Sequence, residues 1–373
     1  MCLMAQRSGE ELPELDGRQE PRLVKALEMI APGTALREGI DSILTAHTGG
    51  LLAIGEPEEI THLCSGGIRL DIDYTAAMLY QLAKMDGAIT LNANATKIAM
   101  ANVQLVPDPT ILTQETGTRH RTAERVSKQT GALVIAVSQR REVVSVYVDG
   151  YRYQLEPIPV VLAKANQALA TLDKYRVRLD QVSTRLTALE FEGGASLHDV
   201  LTVLQRAELV SRMAVEIERY IVELGTDGRL IEIQLEETTV GTSGEKAALI
   251  RDYITDVDEE SVAEALDRLP RLPHSDLLDF GRLAELLGYD RKLNTLDYPV
   301  SPRGHRVLGR IPRLPKLVVQ QVIERFGGLD ELLVGTDADL ESVPGVGEIR
   351  TKDIREGLRR LQEINLVDRF VQT

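Results

Sequence analysis

The stretch ALVIAVSQRREVVSVYVDG, residues 132–150, places two runs of Val, Ile and Ala on either side of a short polar turn and closes on Asp149-Gly150. Runs of this length, rich in β-branched residues, predict strands at 132–138 and 142–148, and an Asp-Gly pair favours a tight turn. Upstream, the same reading predicts strands at 50–55, 87–91 and 102–106. Between them, helical spacing of apolar residues predicts helices at 21–31, 34–48, 73–85 and 122–129. Strands interleaved with helices describe a compact α/β domain over residues 23–159.

Beyond Pro159 the strands give way to helices. Apolar residues at 162, 165, 169, 172, 179, 182, 186 and 189 are separated mostly by three or four positions and form one heptad-like seam. Further helices are expected at 196–224, 244–255, 261–269 and 275–287, making residues 160–297 an all-helical linker that acts as a spacer and oligomerisation spine. Tyr298-Pro299 and Ser301-Pro302 suggest a hinge into a last domain, residues 298–373. Residues 1–22, rich in Glu, Gly, Pro and Gln, suggest a tail of low order. A chain of 373 residues fits several domains at roughly 100–200 residues each.

Composition narrows the function. Cys2 and Cys64 are the only cysteines, so neither a disulfide framework nor structural zinc is expected. No apolar run reaches the roughly 18 residues of a membrane span, and the acidic start does not resemble a signal peptide, so the expected location is cytoplasmic with no membrane partner. The net charge of −14 argues against a protein that coats nucleic acid with its whole surface. Residues 299–373, by contrast, carry 12 Lys and Arg against 11 Asp and Glu. The densest basic stretch is Arg303, Arg306, Arg310, Arg313, Lys316 and Arg325, interrupted only by Glu324. Any nucleic-acid contact is therefore expected at the carboxy-terminal end.

There, Val343-Pro344-Gly345-Val346-Gly347 separates an expected helix at 338–343 from one at 348–362. Glycines allow a sharp turn and leave amides uncovered, and the following helix starts with unpaired N–H groups that can bind a phosphate without reading a base. Arg350, Lys352 and Arg355 follow within two turns. This is a helix-hairpin-helix pattern, with Gly345, Val346, Gly347, Arg350, Lys352 and Arg355 as candidate DNA contacts. About 30 residues upstream, residues 311–327 have the same shape, with Leu314-Pro315 replacing the glycines. The pair resembles the tandem helix-hairpin-helix domains of DNA repair proteins, although an ordinary interhelical turn would also fit one GxG alone.

Two motifs in the first domain carry candidate chemistry. Asp86-Gly87-Ala88 puts a carboxylate and two small residues at the start of a strand. Gly117-Thr118-Arg119-His120-Arg121-Thr122 reads as an anion site, with Gly117 permitting a turn, Arg119 and Arg121 supplying guanidinium forks, and a helix near Thr122 supplying amides. Each also has a bland reading: Asp86 as a helix-ending turn residue, and the Arg-His-Arg run as a solvated helix start paired with Glu115 and Glu124. The P-loop spacing is absent, since GTSGEK at 241–246 is too short, and no dinucleotide fingerprint or HExxH occurs.

In these two motifs, followed by a helical linker and the hairpin, the chain resembles the diadenylate cyclase family, specifically its DNA-scanning members. The resemblance implies a mixed-sheet α/β cyclase domain, a helical spine and a carboxy-terminal helix-hairpin-helix domain. It also implies joining of two ATP molecules into cyclic di-AMP with release of two pyrophosphates, using Mg²⁺ or Mn²⁺. Asp86 would then bind metal and activate the 3′-hydroxyl, and Arg119, His120 and Arg121 would hold the triphosphate. Gly87 and Ala88 would lie against the nucleoside, with Leu105 by the base, Thr118 and Thr122 near the nucleotide and Ser138 near the phosphates. Further implications are an octamer, branched or damaged DNA as regulator, a recombination or repair protein as partner, and association with the nucleoid. Two other readings are a DNA repair scaffold that only binds nucleotide, and a structure-specific nuclease; the latter lacks a carboxylate cluster beside the hairpin.

Overall fold

The computed structural model describes residues 19–256, 258–291 and 297–371. The expected low-order tail falls almost wholly outside them. The chain separates into two compact units, one formed by residues 1–166 with 218–232 and the other by 167–217 with 233–373.

In the first unit, helices α1 (Gln19–Ile30), α2 (Ala35–Thr45), α3 (Pro57–Thr61), α4 (Ala76–Leu82) and α5 (Thr118–Thr130) surround eight strands. These are β1 (Gly50–Ile54), β2 (Cys64–Ser65), β3 (Ile68–Asp73), β4 (Ala88–Leu91), β5 (Lys97–Leu105), β6 (Leu133–Ser138), β7 (Val143–Val148) and β8 (Tyr151–Gln154). Their order is β2-β5-β4-β1-β6-β7-β8, with β3 also paired to β5. Among the described strands only β1 and β4 run parallel; the other pairings are antiparallel, so the sheet is mixed. One apolar cluster joins Leu23, Leu27, Ile40, Ile43 and Leu79 of α1, α2 and α4 to Leu52, Ile89 and Ile135 on one face of the sheet. The other joins Ala123 and Val126 of α5 to Ala53, Val134 and Ala136 on the opposite face. Alternation along each strand sends successive side chains to these two layers.

All five expected strands are present, and the differences from expectation have local causes. Strand β5 begins five residues before the expected start at 102, because KIAM has weak β propensity and is held by pairing with β3 and β4 on both sides. Strand β3 (IRLDID) is a charged outer strand whose side chains are largely exposed. The Asp149-Gly150 turn, with φ of 50° and 79°, does not end the sheet; it folds β8 back on β7 with Val148 opposite Tyr151.

The second unit is helical. Helices α6 (Ile158–Glu192), α7 (Leu197–Leu224) and α8 (Arg229–Thr239) contribute to both units, while α9 (Thr242–Tyr253), α10 (Glu259–Arg268), α11 (His274–Leu277) and α12 (Phe280–Leu286) lie in the second. The expected seam holds on α6: Ala165, Leu169, Leu172, Leu179 and Leu186 are all buried. The helix expected at 275–287 is broken, because Asp279 caps α12 through the Gly281 amide (2.8 Å). The last helices are α13 (His305–Gly309), α14 (Lys316–Phe326), α15 (Leu329–Val334), α16 (Asp337–Glu341) and α17 (Glu348–Val371).

Residues 298–302, expected to act as a hinge, are anchored. The Val300 amide donates to Ala195 (2.9 Å), the Leu197 amide to Tyr298 (3.0 Å) and the Leu329 amide to Pro302 (3.1 Å). Half of the basic stretch is engaged inside the unit. The Arg303 guanidinium donates to the carbonyls of Arg251, Asp252 and Ile254 at 2.7–2.9 Å. Arg306 is 2% exposed and forms a 2.6 Å pair with fully buried Glu190. Arg310 reaches Glu245 (2.9 Å) and Ser183 (2.7 Å). Arg313 and Lys316 stay exposed.

Candidate active site and candidate nucleic-acid interface

Helix α5 starts earlier than its sequence suggests. Gly117 is the N-cap and the Arg121 amide already donates to the Gly117 carbonyl (2.8 Å), so Thr118, Arg119 and His120 form the first turn. The unpaired amides of the helix are therefore those of Thr118 to His120, not those around Thr122. Gly117 has φ −84° and ψ 142°, ordinary extended backbone, so the turn does not require a glycine. A Cβ there would meet only the His120 ring, at 3.6 Å; the missing side chain leaves that ring and the amides uncovered. The helix ends at Gly131, whose left-handed φ of 70° and bond to Ser127 stop it.

Around this first turn lies a cavity of about 330 Å³. Of the candidate site residues, Thr118, Arg119, His120 and Ser138 line it, together with Arg140, Arg141 and Arg152, which the sequence reading missed. Four guanidinium groups face a single carboxylate, that of Glu115, so the cavity favours an anion with several negative charges. The added arginines come from the β6–β7 turn and from β8. The QRR triplet after Ser138 was a visible signal; Arg152 was not, because β8 was not anticipated.

Arg119 lies against Gly49, where a Cβ would stand 2.1 Å from its Nη1, and donates a long bond to the Val137 carbonyl (3.5 Å). His120 Nδ1 is 2.9 Å from the Tyr147 hydroxyl, which donates to Glu115 Oε1 at 2.9 Å; Glu115 also pairs with Arg152 at 3.2 Å. Burial holds the His120 pKa below its ordinary value; Glu115 opposes this, while Arg152, Arg119 and Arg141 add to it. Arg121 is turned back onto the carbonyls of Glu115 and Thr116 (3.4 Å each) and does not line the cavity, and nor does Thr122. The bland pairing fails for Glu124, which bonds Thr113 and Lys128 (2.5 Å each); Glu115 reaches His120 only through Tyr147.

The Asp86 motif reaches the same end of the sheet by strand register. Leu52 pairs with Ile89 on β4 and with Ile135 on β6, so the start of β4, the start of β1 and the end of β6 coincide. At roughly 4.8 Å per strand, β4 and β6 lie about 10 Å apart. Asp86 is exposed and makes no hydrogen bond or ion pair among the described residues. Gly87 has a structural duty: its Cβ would lie 2.6 Å from the Cα of Asn102, whose own φ is 53°. Ala88 is buried, and Leu105 is 7% exposed within the core cluster that contains Ala88 and Val103. Asp86, Gly87, Ala88 and Leu105 lie outside the cavity lining. No group of three or more His, Cys, Asp or Glu able to hold a metal occurs among the described residues. A single free carboxylate would suit a Mg²⁺ or Mn²⁺ ion whose other ligands came mainly from the phosphates of a bound nucleotide.

In the second unit the hairpin joins α16 to α17. Gly345 has φ 79°, and Arg313 takes the equivalent place upstream with φ 62°, so both hairpins use the same left-handed turn. A non-glycine there costs about 1 kcal/mol, which the buried neighbours Leu308, Ile311 and Val318 offset. Val346 is 4% exposed and anchors the turn in the core, and its amide bonds Val343 (3.0 Å). The Thr351 amide donates to Gly347 (3.0 Å), which leaves the amides of the first turn of α17 unpaired along the helix. Lys352 is exposed. Arg350 folds back onto the Gly345 carbonyl. Arg355 is engaged with Asp337 (2.9 Å) and the carbonyls of Leu332 and Gly335, so it ties α17 to α15 and α16.

Comparison with known proteins matches this architecture. Residues 37–152 match the family described as "DisA bacterial checkpoint controller nucleotide-binding", and residues 155–296 match "DisA bacterial checkpoint controller linker region". The chain is 48% identical over 349 residues to the DNA integrity scanning protein DisA of Streptomyces coelicolor, covering 93% of each chain. It is 48% identical over 345 residues to that of Carboxydothermus hydrogenoformans, covering 92% of this chain and 98% of the other. With a nucleotide-binding family domain on the sheet that carries the cationic cavity, followed by the family's linker, the chain belongs to the DisA family of DNA integrity scanning proteins.

Proposed function

We propose that this protein is a diadenylate cyclase that condenses two ATP molecules into cyclic di-AMP and two pyrophosphates, and that its carboxy-terminal hairpins bind branched or damaged DNA and lower that activity. The observation that carries the first part is the cavity at the start of α5, where Arg119, Arg140, Arg141 and Arg152 face one carboxylate at the sheet end shared with Asp86.

In-line attack of a 3′-hydroxyl on an α-phosphate builds charge on the equatorial oxygens and on the departing pyrophosphate. Arg119 and its neighbours, with the amides of Thr118 to His120, are placed to bind the polyphosphate and stabilise that charge. Thr118 and Ser138 orient it by hydrogen bonds. Asp86 accepts the hydroxyl proton and would be the carboxylate that helps to hold Mg²⁺ or Mn²⁺, which would neutralise phosphate charge when bound. Gly87, Ala88 and Leu105 shape the approach of the nucleoside at the neighbouring strand ends. The reaction needs each ATP to be attacker and target in turn, so a two-fold pair of subunits, each contributing half a site, meets its symmetry. An octamer built through the spine satisfies this for every subunit.

Incubation with ATP and Mn²⁺ is expected to yield a cyclic dinucleotide by mass spectrometry, and Asp86→Asn is expected to lose turnover while keeping its fold. ATP binding without product at any metal or protein concentration would refute the cyclase in favour of a nucleotide-binding scaffold. Regulation is tested with a four-way junction at saturation: equal rates with and without it would refute control by DNA.

A further inference from the structure

We propose that Glu115 and Tyr147 are positioning residues that fix His120 as its Nδ1–H tautomer and present Nε2 to the bound polyphosphate, so that binding the polyphosphate takes up a proton. The proposal rests on the reading of the cavity as the polyphosphate site, but its tautomer half does not depend on that reading.

The geometry leaves one arrangement of protons. A phenol has one proton, and a carboxylate only accepts. Tyr147 Oη lies 2.9 Å from Glu115 Oε1 and 2.9 Å from His120 Nδ1. Were the phenol to give its proton to His120, two bare oxygens would face each other at hydrogen-bond distance. Glu115 is held as a carboxylate partner of Arg152 at 3.2 Å, so the phenol donates to Glu115 and accepts from Nδ1–H. Tyr147 is fully buried, and burial together with its bond to Glu115 and that group's charge pushes its hydroxyl well above the ordinary tyrosine range, so the proton stays. With Nδ1 committed, Nε2 is the ring nitrogen left for a ligand; the ring lies beside Gly117, which has no side chain to cover it.

A neutral His120 then shows a lone pair to an anion, which is unfavourable, whereas an imidazolium would donate Nε2–H to a phosphate oxygen. The charged groups facing the ring are Arg119 on its own helix, Arg141 on the β6–β7 turn, Arg152 on β8, and Glu115 before α5. In the free protein the three arginines and burial disfavour the imidazolium. A polyphosphate seated among them cancels their charge, and Glu115, acting through Tyr147, stabilises the protonated ring. Binding should therefore weaken as pH rises through the region where bound His120 loses its proton.

The test uses the full chain labelled with ¹⁵N-histidine, the His120 signals being identified among six histidines by their loss in His120→Gln. Solid-state ¹⁵N spectra at pH 8 are expected to show protonated Nδ1 and bare Nε2 in the native protein. In Tyr147→Phe, and in Glu115→Gln should the first variant fold poorly, the ring is expected to shift toward the commoner Nε2–H form. A native Nε2–H ring, or a tautomer unchanged in a folded variant, would overturn the assignment. Calorimetric titration with inorganic pyrophosphate in two buffers of different ionisation enthalpy is expected to show proton uptake at pH 8 that is lost in His120→Gln. Equal uptake in that variant, or none in the native protein, would overturn the coupling. Both measurements omit ATP and turnover, so failure of the cyclase assay leaves them intact, and their failure leaves the cyclase standing.

Discussion

Single side chains at the sheet end do two kinds of work. Gly87 is fixed by packing: a methyl group there collides with the Asn102 backbone at 2.6 Å. Gly87→Ala is therefore expected to destabilise the first unit by about 1–3 kcal/mol, read as a lower denaturation midpoint at unchanged slope. Gly49 is fixed by its neighbour in the site, since a methyl group would stand 2.1 Å from Arg119 Nη1, the end of a mobile side chain that can move away. Gly49→Ala should leave stability within about 0.5 kcal/mol. By displacing one charge-assisted contact, worth about 1.5–3 kcal/mol, it should weaken ATP binding roughly tenfold or more in a direct titration. The sequence drew attention to Gly87 through its motif and was silent on Gly49, whose significance arises from a side chain 70 positions away.

Among the elements, α5 and α13 show how a helix start acquires its role. Both begin with a cationic run, and their sequences alone suggest the same use. On α5 the run opens onto a cavity. On α13 the helix start is closed by Asp252, whose carboxylate accepts the amides of Gly304 (2.8 Å), His305 (2.6 Å) and Arg306 (2.8 Å). Arg306 meanwhile enters a buried set with Glu190, Thr187 and Ser183. Burial pushes the Glu190 carboxyl up, and Arg306 opposes the shift. Removing one partner leaves the other charge buried alone, so Arg306→Ala is expected to cost about 3–5 kcal/mol in denaturation of the second unit. Arg303 and Arg310 are likewise engaged, and a basic run that looked like a DNA surface is in large part an internal clamp.

For the molecule as a whole, net charge and symmetry set the expectations. On the proposed reading a chain of net charge −14 can approach DNA only where cations reach solvent; Arg313 and Lys316 at one hairpin and Arg350 and Lys352 at the other are exposed, Arg350 being bonded to the Gly345 carbonyl. Lys352→Ala should weaken junction binding uniformly across sequences and reduce the slope of log affinity against log salt by about 1. Binding that ignores salt would contradict phosphate contact. The proposed half-site per subunit would require association, so specific activity should fall on dilution below the assembly constant.

Taken by itself, the sequence determined the local character of each part: five strands by composition, the helical linker by its spacing of apolar residues, and the interhelical turn and Arg-His-Arg motif by local pattern. These are short-range properties, set by which side chains recur within a turn or two of backbone. Only the tertiary structure decided which charges are available. Pairing of β1 with both β4 and β6 brought Asp86 and Ser138 to one sheet end, and the return of β8 supplied Arg152. Folding also turned Arg303, Arg306 and Arg355 inward while leaving Arg140 and Arg141 to line the cavity. Whether a guanidinium is a ligand for phosphate or a clamp for protein depends on the carboxylates and carbonyls that approach it from distant segments, and no local pattern records them.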